Sequence, residues 1–293
     1  MSQHPPAPSA RISALVHTRN EERWLPGCLE SLRWADEIIV ADMASTDATR
    51  EIARSAGALL LDMPVAPFVE QVRNLALEKC AGDWLLLVDA DERVPATLAA
   101  RLRELADDSH AATVAAYALP RRNEFLGVWL EHGFWPDNQT RFFRRGAAHW
   151  SGEIHEPPVI SGGALVPLPA EPALALEHPG YGPDLEKFIE KLARYSAIDA
   201  RRLSASTNPP VWPWLLRRPA SEFTNRYFHD GAWRHGAHGL IWSLLQGAYQ
   251  LMVAANFWAN GRERAAAFRV APADLRGRVR RELWRSAAKL LQP

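Results

Sequence analysis

Three carboxylates stand within four residues at Asp89-Ala90-Asp91-Glu92, directly after the apolar run Leu85-Leu86-Leu87-Val88. A short unbroken apolar run predicts a strand buried on both faces of a parallel sheet. Acids at the C-terminal end of such a strand lie where open α/β sheets take their ligands. Asp89 and Asp91 are two residues apart, so on an extended chain they point the same way. Two hard oxygen donors there suit Mg²⁺ or Mn²⁺, which keep waters and draw further ligands from substrate phosphates. The alternative role for this stretch is to cap a helix beginning near Pro95.

The elements that must position these acids follow from periodicity. Strands are predicted over 12–17, 37–41, 58–62 and from Leu85, with amphipathic helices between them, including 46–56 and 69–80. The second strand also ends in an acid, Asp42, before the polar turn Ser45-Thr46-Asp47. Thr18 and Asn20 are candidate caps for the first helix, and Gly57 marks the end of the second. Alternating strands and helices of this kind predict an open, mostly parallel α/β sheet with right-handed crossovers. No GxGxxG loop follows the first strand, so the usual dinucleotide fingerprint is missing. After a helix to about Leu105 the chain becomes strand-rich and aromatic. Strands are expected over 117–121 and 139–144, with a hairpin partner or loop over 123–129 between them.

The chain has 293 residues, of which 47% are hydrophobic, and its formal net charge is zero. That charge is unevenly spread. Residues 201–293 hold 15 Lys+Arg against 5 Asp+Glu, whereas residues 1–200 hold 19 against 29. An acidic first part and a basic tail point to an anionic partner surface. No nucleic-acid module accompanies the basic residues, which favours a membrane over nucleic acid. Cys28 and Cys80 show neither metal spacing nor a disulfide framework, the usage expected in a reducing compartment. Residues 1–10 are Pro-rich without an apolar core, which predicts a disordered leader and not a signal peptide.

Residues 184–203 have helical spacing of Leu185, Phe188, Ile189, Leu192, Tyr195 and Ile198. Residues 236–260 contain no charged side chain, but Gly, His, Gln and Asn interrupt them. Arg217, Arg218, Arg226 and Arg234 precede this stretch, and Arg262 and Arg264 follow it. The pattern predicts an interfacial helix, with a spanning helix and a buried core helix as the alternatives. Residues 262–293, rich in Arg and Ala, are expected to form a helix on an anionic surface.

Taken in order, Thr18-Arg19-Asn20-Glu21-Glu22, Trp34-Ala35-Asp36-Glu37-Ile38-Ile39-Val40, Asp42 with Ser45-Thr46-Asp47, Gly82-Asp83-Trp84 and Asp89-Ala90-Asp91-Glu92 resemble the family 2 glycosyltransferases of GT-A fold. Pro120-Arg121-Arg122-Asn123, Trp135-Pro136-Asp137, Arg141-Phe142-Phe143-Arg144-Arg145-Gly146 and His155-Glu156 narrow the likeness to the lipopolysaccharide-core glucosyltransferase group. Ala44 departs from the pattern, since the family usually has glycine there.

The resemblance implies an inverting transfer from a nucleotide-diphosphate sugar, with UDP-glucose the first donor to test. The acceptor would be a lipid-linked glycan such as lipopolysaccharide core, met at the cytoplasmic face of the inner membrane. It implies that Thr18, Asn20 and Glu21 line the nucleotide pocket and that Asp42 contacts base or ribose. Asp91 would hold the divalent cation, Asp89 the ribose or the metal, and His155 is a further candidate metal ligand. Inversion needs a base for the acceptor hydroxyl. Glu156 is the first candidate, Asp137 the second and Glu153 the third. Arg141, Arg144 and Arg145 are candidates for a diphosphate or acceptor phosphate. The domains expected are a leader (1–10), a catalytic domain (11–180, with nucleotide-sugar and acceptor halves meeting at 95/96) and a helical C-terminal region (181–293). The alternatives are a nucleotidyltransferase and a non-catalytic nucleotide-sugar-binding membrane protein.

Overall fold

The computed structural model describes residues 9–108, 113–152, 156–206 and 211–260, with backbone alone for 205, 206 and 211–213. In chain order the elements begin β1 (Ile12–Thr18), α1 (Leu25–Ser31), β2 (Glu37–Asp42), α2 (Thr49–Ser55), β3 (Leu59–Asp62), α3 (Glu70–Leu77), β4 (Trp84–Asp89) and α4 (Ala96–Asp107). The strand-rich part follows with β5 (Val114–Leu119), β6 (Arg121–Phe125), β7 (Val128–Trp129), β8 (Gln139–Arg144), β9 (Ala148–His149), β10 (Val159–Ile160), β11 (Ala164–Pro167) and β12 (Leu176–Gly182). Three long helices complete it: α5 (Leu185–Ser206), α6 (Val211–Thr224) and α7 (Gly236–Asn260).

The chain divides into two compact units, residues 1–123 with 136–181, and residues 124–135 with 182–293. The first unit holds a seven-stranded sheet in the order β11-β5-β8-β4-β1-β2-β3. β1 pairs in parallel with β2 and β4, β2 with β3, and β11 with β5, while β8 runs antiparallel to both β4 and β5. This mostly parallel α/β sheet is consistent with the GT-A arrangement. The first four strands and their crossovers agree with the periodicity to within a few residues.

Side chains alternate across the sheet, and both faces are covered. Ile12, Ala14, Val16, Trp84, Leu86 and Val88 enter one apolar core. Leu15, Leu85, Leu87 and Phe143 enter the other, beneath Ala76 and Leu77 of α3. That is why Leu85–Val88 is apolar throughout. The chain region over 117–129 differs from expectation. It forms β5, which ends at Leu119, then the hairpin β6–β7, turned at Leu126 and Gly127 with φ of 51° and 77°. Two consecutive positive φ values match the twist of a tight hairpin.

In the second unit, Phe125, Phe188 and Trp242 cluster, with ring centroids 5.4 to 5.9 Å apart. α6 and α7 pack closely where Gly247 meets the backbone of Pro219; a Cβ there would lie 3.1 Å from its carbonyl oxygen. Among the described residues no helix, α7 included, is long and apolar enough to cross a membrane. Residues 1–8 of the leader expected over 1–10, and the tail helix expected over 262–293, lie outside the described residues.

Candidate active site

The ends of β1 and β2 carry two loops that are laced together. Asn20, in the left-handed region at φ 58°, donates its backbone N–H to Ser45 Oγ at 2.8 Å, and its Oδ1 accepts Thr46 N–H at 2.8 Å. Glu21 N–H goes to Thr49 Oγ1 at 2.8 Å, and Ala48 N–H goes to Glu22 Oε2 at 3.0 Å. Asn20 and Thr18 therefore hold the neighbouring loop, and α1 begins after Trp24 without a side-chain cap. Asp42 is fully buried between these loops. It accepts Thr18 Oγ1 at 3.1 Å, Ser45 N–H at 3.1 Å, Ser45 Oγ, and Arg50 Nη1 at 2.7 Å. Burial works to raise its carboxyl, but the Ser45, Arg50 and Thr18 hydrogen bonds hold it below the ordinary value. Ala44 takes a left-handed φ of 55°, the conformation for which glycine is the usual residue.

The acidic stretch after β4 does not cap α4, whose N-cap is Pro95, with no side-chain hydrogen bond. A buried lattice of charges holds it instead. Glu92, with no exposed surface, accepts Asp89 N–H at 2.9 Å, Arg121 Nη1 at 2.7 Å and Arg141 Nη2 at 3.1 Å. Arg141 also binds both oxygens of Asp89, and Arg73 on α3 lies 3.7 Å from that carboxylate. Arg121 further reaches Asp137 through Nε and Nη2 at 2.9 and 2.7 Å. Three guanidinium groups are thus joined to three carboxylates. Burial pushes Asp89 up, but Arg141, then Arg73 and Arg121, hold it well below the usual carboxylate range. His17, in register with Asp89 on β1, is driven down to about 3 by burial and by Arg73, so it stays neutral.

The strand geometry explains the choice of arginines. β8 pairs antiparallel with β4, placing Phe143 beside Leu85 and Arg144 beside Trp84. Arg141 therefore falls near the C-terminal end of β4 on the Asp89 face. Arg144 lies at the other end, stacked over the Trp84 ring at 4.6 Å, and Arg145 N–H bonds Asp83 O there. Those two arginines are set apart from Asp89 by the direction of the strand.

Asp91 has different company. An antiparallel bridge joins Arg93 to Glu177 at the start of β12. It brings His178 Nε2 to 3.1 Å from Asp91 Oδ2. The other ring nitrogen, Nδ1, lies 2.6 Å from Asn123 Oδ1, while Asn123 Nδ2 donates to Asp137 Oδ2 at 2.9 Å. The amide orientation thus fixes a carbonyl oxygen against Nδ1, and Nδ1 carries the proton. The Asp91–His178 pair shares one close contact, which a proton on Nε2 or a metal cation in its place would satisfy. A metal-ligating histidine anchored by its other N–H shows this same pattern. Among the described residues no group of three or more His, Cys, Asp or Glu side chains is placed to hold a metal. Two protein donors are nevertheless the usual number where substrate phosphates and waters complete the shell.

Backbone clearance matters at this pair. A Cβ on Gly180 would lie 2.3 Å from Asp91 Cβ. Gly180→Ala is expected to cost about 1–3 kcal/mol of stability by overpacking, read from the urea midpoint. It should also displace Asp91 and abolish any Mn²⁺-dependent stabilisation by donor; an unchanged midpoint and shift would contradict the close approach.

The candidate bases are placed differently from one another. Asp137 accepts Arg121, Asn123 and, at 2.7 Å, Gln139 Nε2. Burial raises its carboxyl, but Arg121 and these hydrogen bonds lower it overall, which makes it a weak proton acceptor. Glu156 accepts Ser151 Oγ at 2.6 Å. Its segment follows Trp150, whose backbone makes two hydrogen bonds to the Asn74 side chain on α3 at 2.8 and 3.0 Å and whose ring lies under Arg73. Glu153 and His155 lie outside the described residues. Arg73 and His178 had no part in the sequence reading, and Arg121 and Asn123 entered only inside a motif.

The chain belongs to glycosyl transferase family 2. The model named Glycosyl transferase family 2 matches residues 13–158. The lipopolysaccharide core biosynthesis glycosyltransferase LpsC of Rhizobium meliloti (strain 1021) is 30% identical over 272 residues, 86% of this chain and 93% of LpsC. An uncharacterized glycosyltransferase of Rickettsia bellii (strain RML369-C) is 27% identical over 75% of this chain and 79% of its own. Among solved structures, the mannosyltransferase PcManGT from Pyrobaculum calidifontis, in complex with GDP-Man and Mn²⁺, aligns over 98% of this chain and 88% of its own, at 20% identity and a TM-score of 0.44.

Proposed function

We propose that this protein transfers a sugar, with glucose the first to test, from a nucleotide-diphosphate donor to a lipid-linked acceptor such as lipopolysaccharide core. We place the reaction at the cytoplasmic face of the inner membrane and assign it inversion at the anomeric carbon. The observation that carries the reading is the Asp91–His178 pair, two donors converging at the end of β4 beside the buried arginines. Those two residues would hold Mg²⁺ or Mn²⁺, which when bound offsets the charge that develops on the departing diphosphate. Thr18, Asn20, Glu21 and Asp42 form the braced shell for the nucleoside, and Asp89, locked by Arg141, keeps the strand end rigid behind it. Arg73, whose carboxylate partner is 3.7 Å away, supplies positive charge toward the donor. Glu156 takes the acceptor proton as that oxygen bonds the anomeric carbon opposite the leaving group. Support for Glu156 over Asp137 comes from the four hydrogen bonds that already occupy Asp137 and, burial notwithstanding, from the Arg121 charge that holds its carboxyl down.

A thermal-shift screen of nucleotide sugars with and without Mn²⁺ tests the reading. A ligand that binds only the folded chain raises its melting temperature. One nucleotide-diphosphate sugar should stabilise the chain, and only with Mn²⁺ present. Glu156→Gln should keep that shift and lose transfer by about 10²–10⁴-fold. Transfer at the unmodified rate would remove Glu156 as the base, and absence of any donor shift would remove the nucleotide-sugar site.

A further inference from the structure

Between Ala237 and Ala259, every exposed side chain of α7 is apolar. Leu240, Leu244, Ala248, Leu251, Ala255 and Trp258 recur at steps of three or four residues and form one stripe. Leu244 is 53% exposed and Leu251 47%. The polar residues of the helix serve its other side, where Tyr249 bonds Asp199 and Asn256 bonds Ser196, both on α5. At 1.5 Å per residue the stripe runs for about 27 Å. Contiguous apolar surface of this kind marks an interaction site.

The two ends of the stripe say what it meets. Trp233, half exposed, lies just before the helix with the Arg234 guanidinium 5.3 Å from its ring. Trp258 closes the stripe, and Arg262 and Arg264 follow it in the sequence. A half-exposed indole before the stripe with a guanidinium beside it, and a second indole at the far end of the stripe, suit the depth at which lipid headgroups give way to acyl chains. Residues 261–293 add nine Lys+Arg against three Asp+Glu. A second copy would bring a second segment of the same sign, so like charge would meet like. An anionic lipid surface complements both features at once.

We propose that the exposed face of α7 docks in the plane of an anionic phospholipid bilayer, with the helix lying on the membrane and not through it. The assignment does not depend on the transfer reaction. The full chain is mixed with sucrose-loaded vesicles of phosphatidylcholine, alone or blended with phosphatidylglycerol, and sedimented without donor. It should pellet with the blended vesicles, far less with the neutral ones, and less at raised salt. Leu244→Gln with Leu251→Gln, both at exposed positions, should reduce partition by at least about tenfold, with melting temperature unchanged. The proposal falls if the unmodified chain stays in the supernatant with anionic vesicles, or if the double variant pellets as well as the parent. It also falls if light scattering finds a dimer that the double variant dissociates, which would assign the stripe to a second copy.

Discussion

Asp91→Asn is expected to leave the fold intact and to lower transfer by about 10²–10³-fold, as loss of a charge-stabilising group at a reacting centre does. The residue tolerates the change structurally because its side chain is 25% exposed and asparagine keeps its shape. The chemistry does not tolerate it. Asparagine carries no charge, and its amide turned toward His178 would offer a hydrogen to Nε2, filling the point at which we propose the cation. Two measurements separate this from unfolding: the urea midpoint, which should hold, and the Mn²⁺-dependent part of the donor thermal shift, which should vanish. His178→Ala should remove the same shift less completely, since one oxygen donor remains. Full turnover in Asp91→Asn would place the cation elsewhere.

Glu92→Ala should do the reverse, striking stability first. Glu92 is the only residue of the acidic stretch with a fully buried side chain, and both Arg121 and Arg141 donate to it. Truncating it leaves two guanidinium groups in the interior short of a carboxylate and frees the Asp89 N–H. Breaking a buried pair from one side costs about 3–5 kcal/mol. Chemical denaturation should show that loss, and activity should fall with it because the loop bearing Asp91 loses its anchor. A midpoint close to that of the parent would mean that the arginines find other partners and that the lattice is not what fixes the loop.

These two outcomes also show what the sequence could and could not convey. Leu85–Val88 was legible because a strand covered on both faces leaves no room for polar residues. The antiparallel partner Gln139–Arg144 was legible from its length and aromatic content. The consequences of its direction were not, and so Arg144 and Arg145 were grouped with Arg141 although they lie at the far end of β4. His178 was missed because Leu176–Gly182 contains Pro179 and Gly180, which argue against a strand by pattern alone. Gly180 is there because Asp91 leaves no space for a Cβ, a reason that exists only in three dimensions. Arg73 falls within the helix expected over 69–80, where nothing in the pattern marks it; only the fold brings it to 3.7 Å from the Asp89 carboxylate. Thr18 and Asn20 illustrate the same limit, because capping residues and loop-bracing residues use identical side-chain chemistry.

The insertion of β8 between β4 and β5 has a consequence for synthesis. The hydrogen-bonding edge of β4 that β8 covers belongs to a chain segment that emerges well before its cover, Arg141 being 52 residues beyond Asp89. Until those residues leave the ribosome, an apolar strand has an open edge and the acidic turn beyond it lacks the arginine that neutralises it. Open edges of that sort recruit other chains. A nascent chain halted between positions 90 and 139 should therefore depend on chaperones and aggregate when they are depleted, whereas one released after 144 has its edge closed.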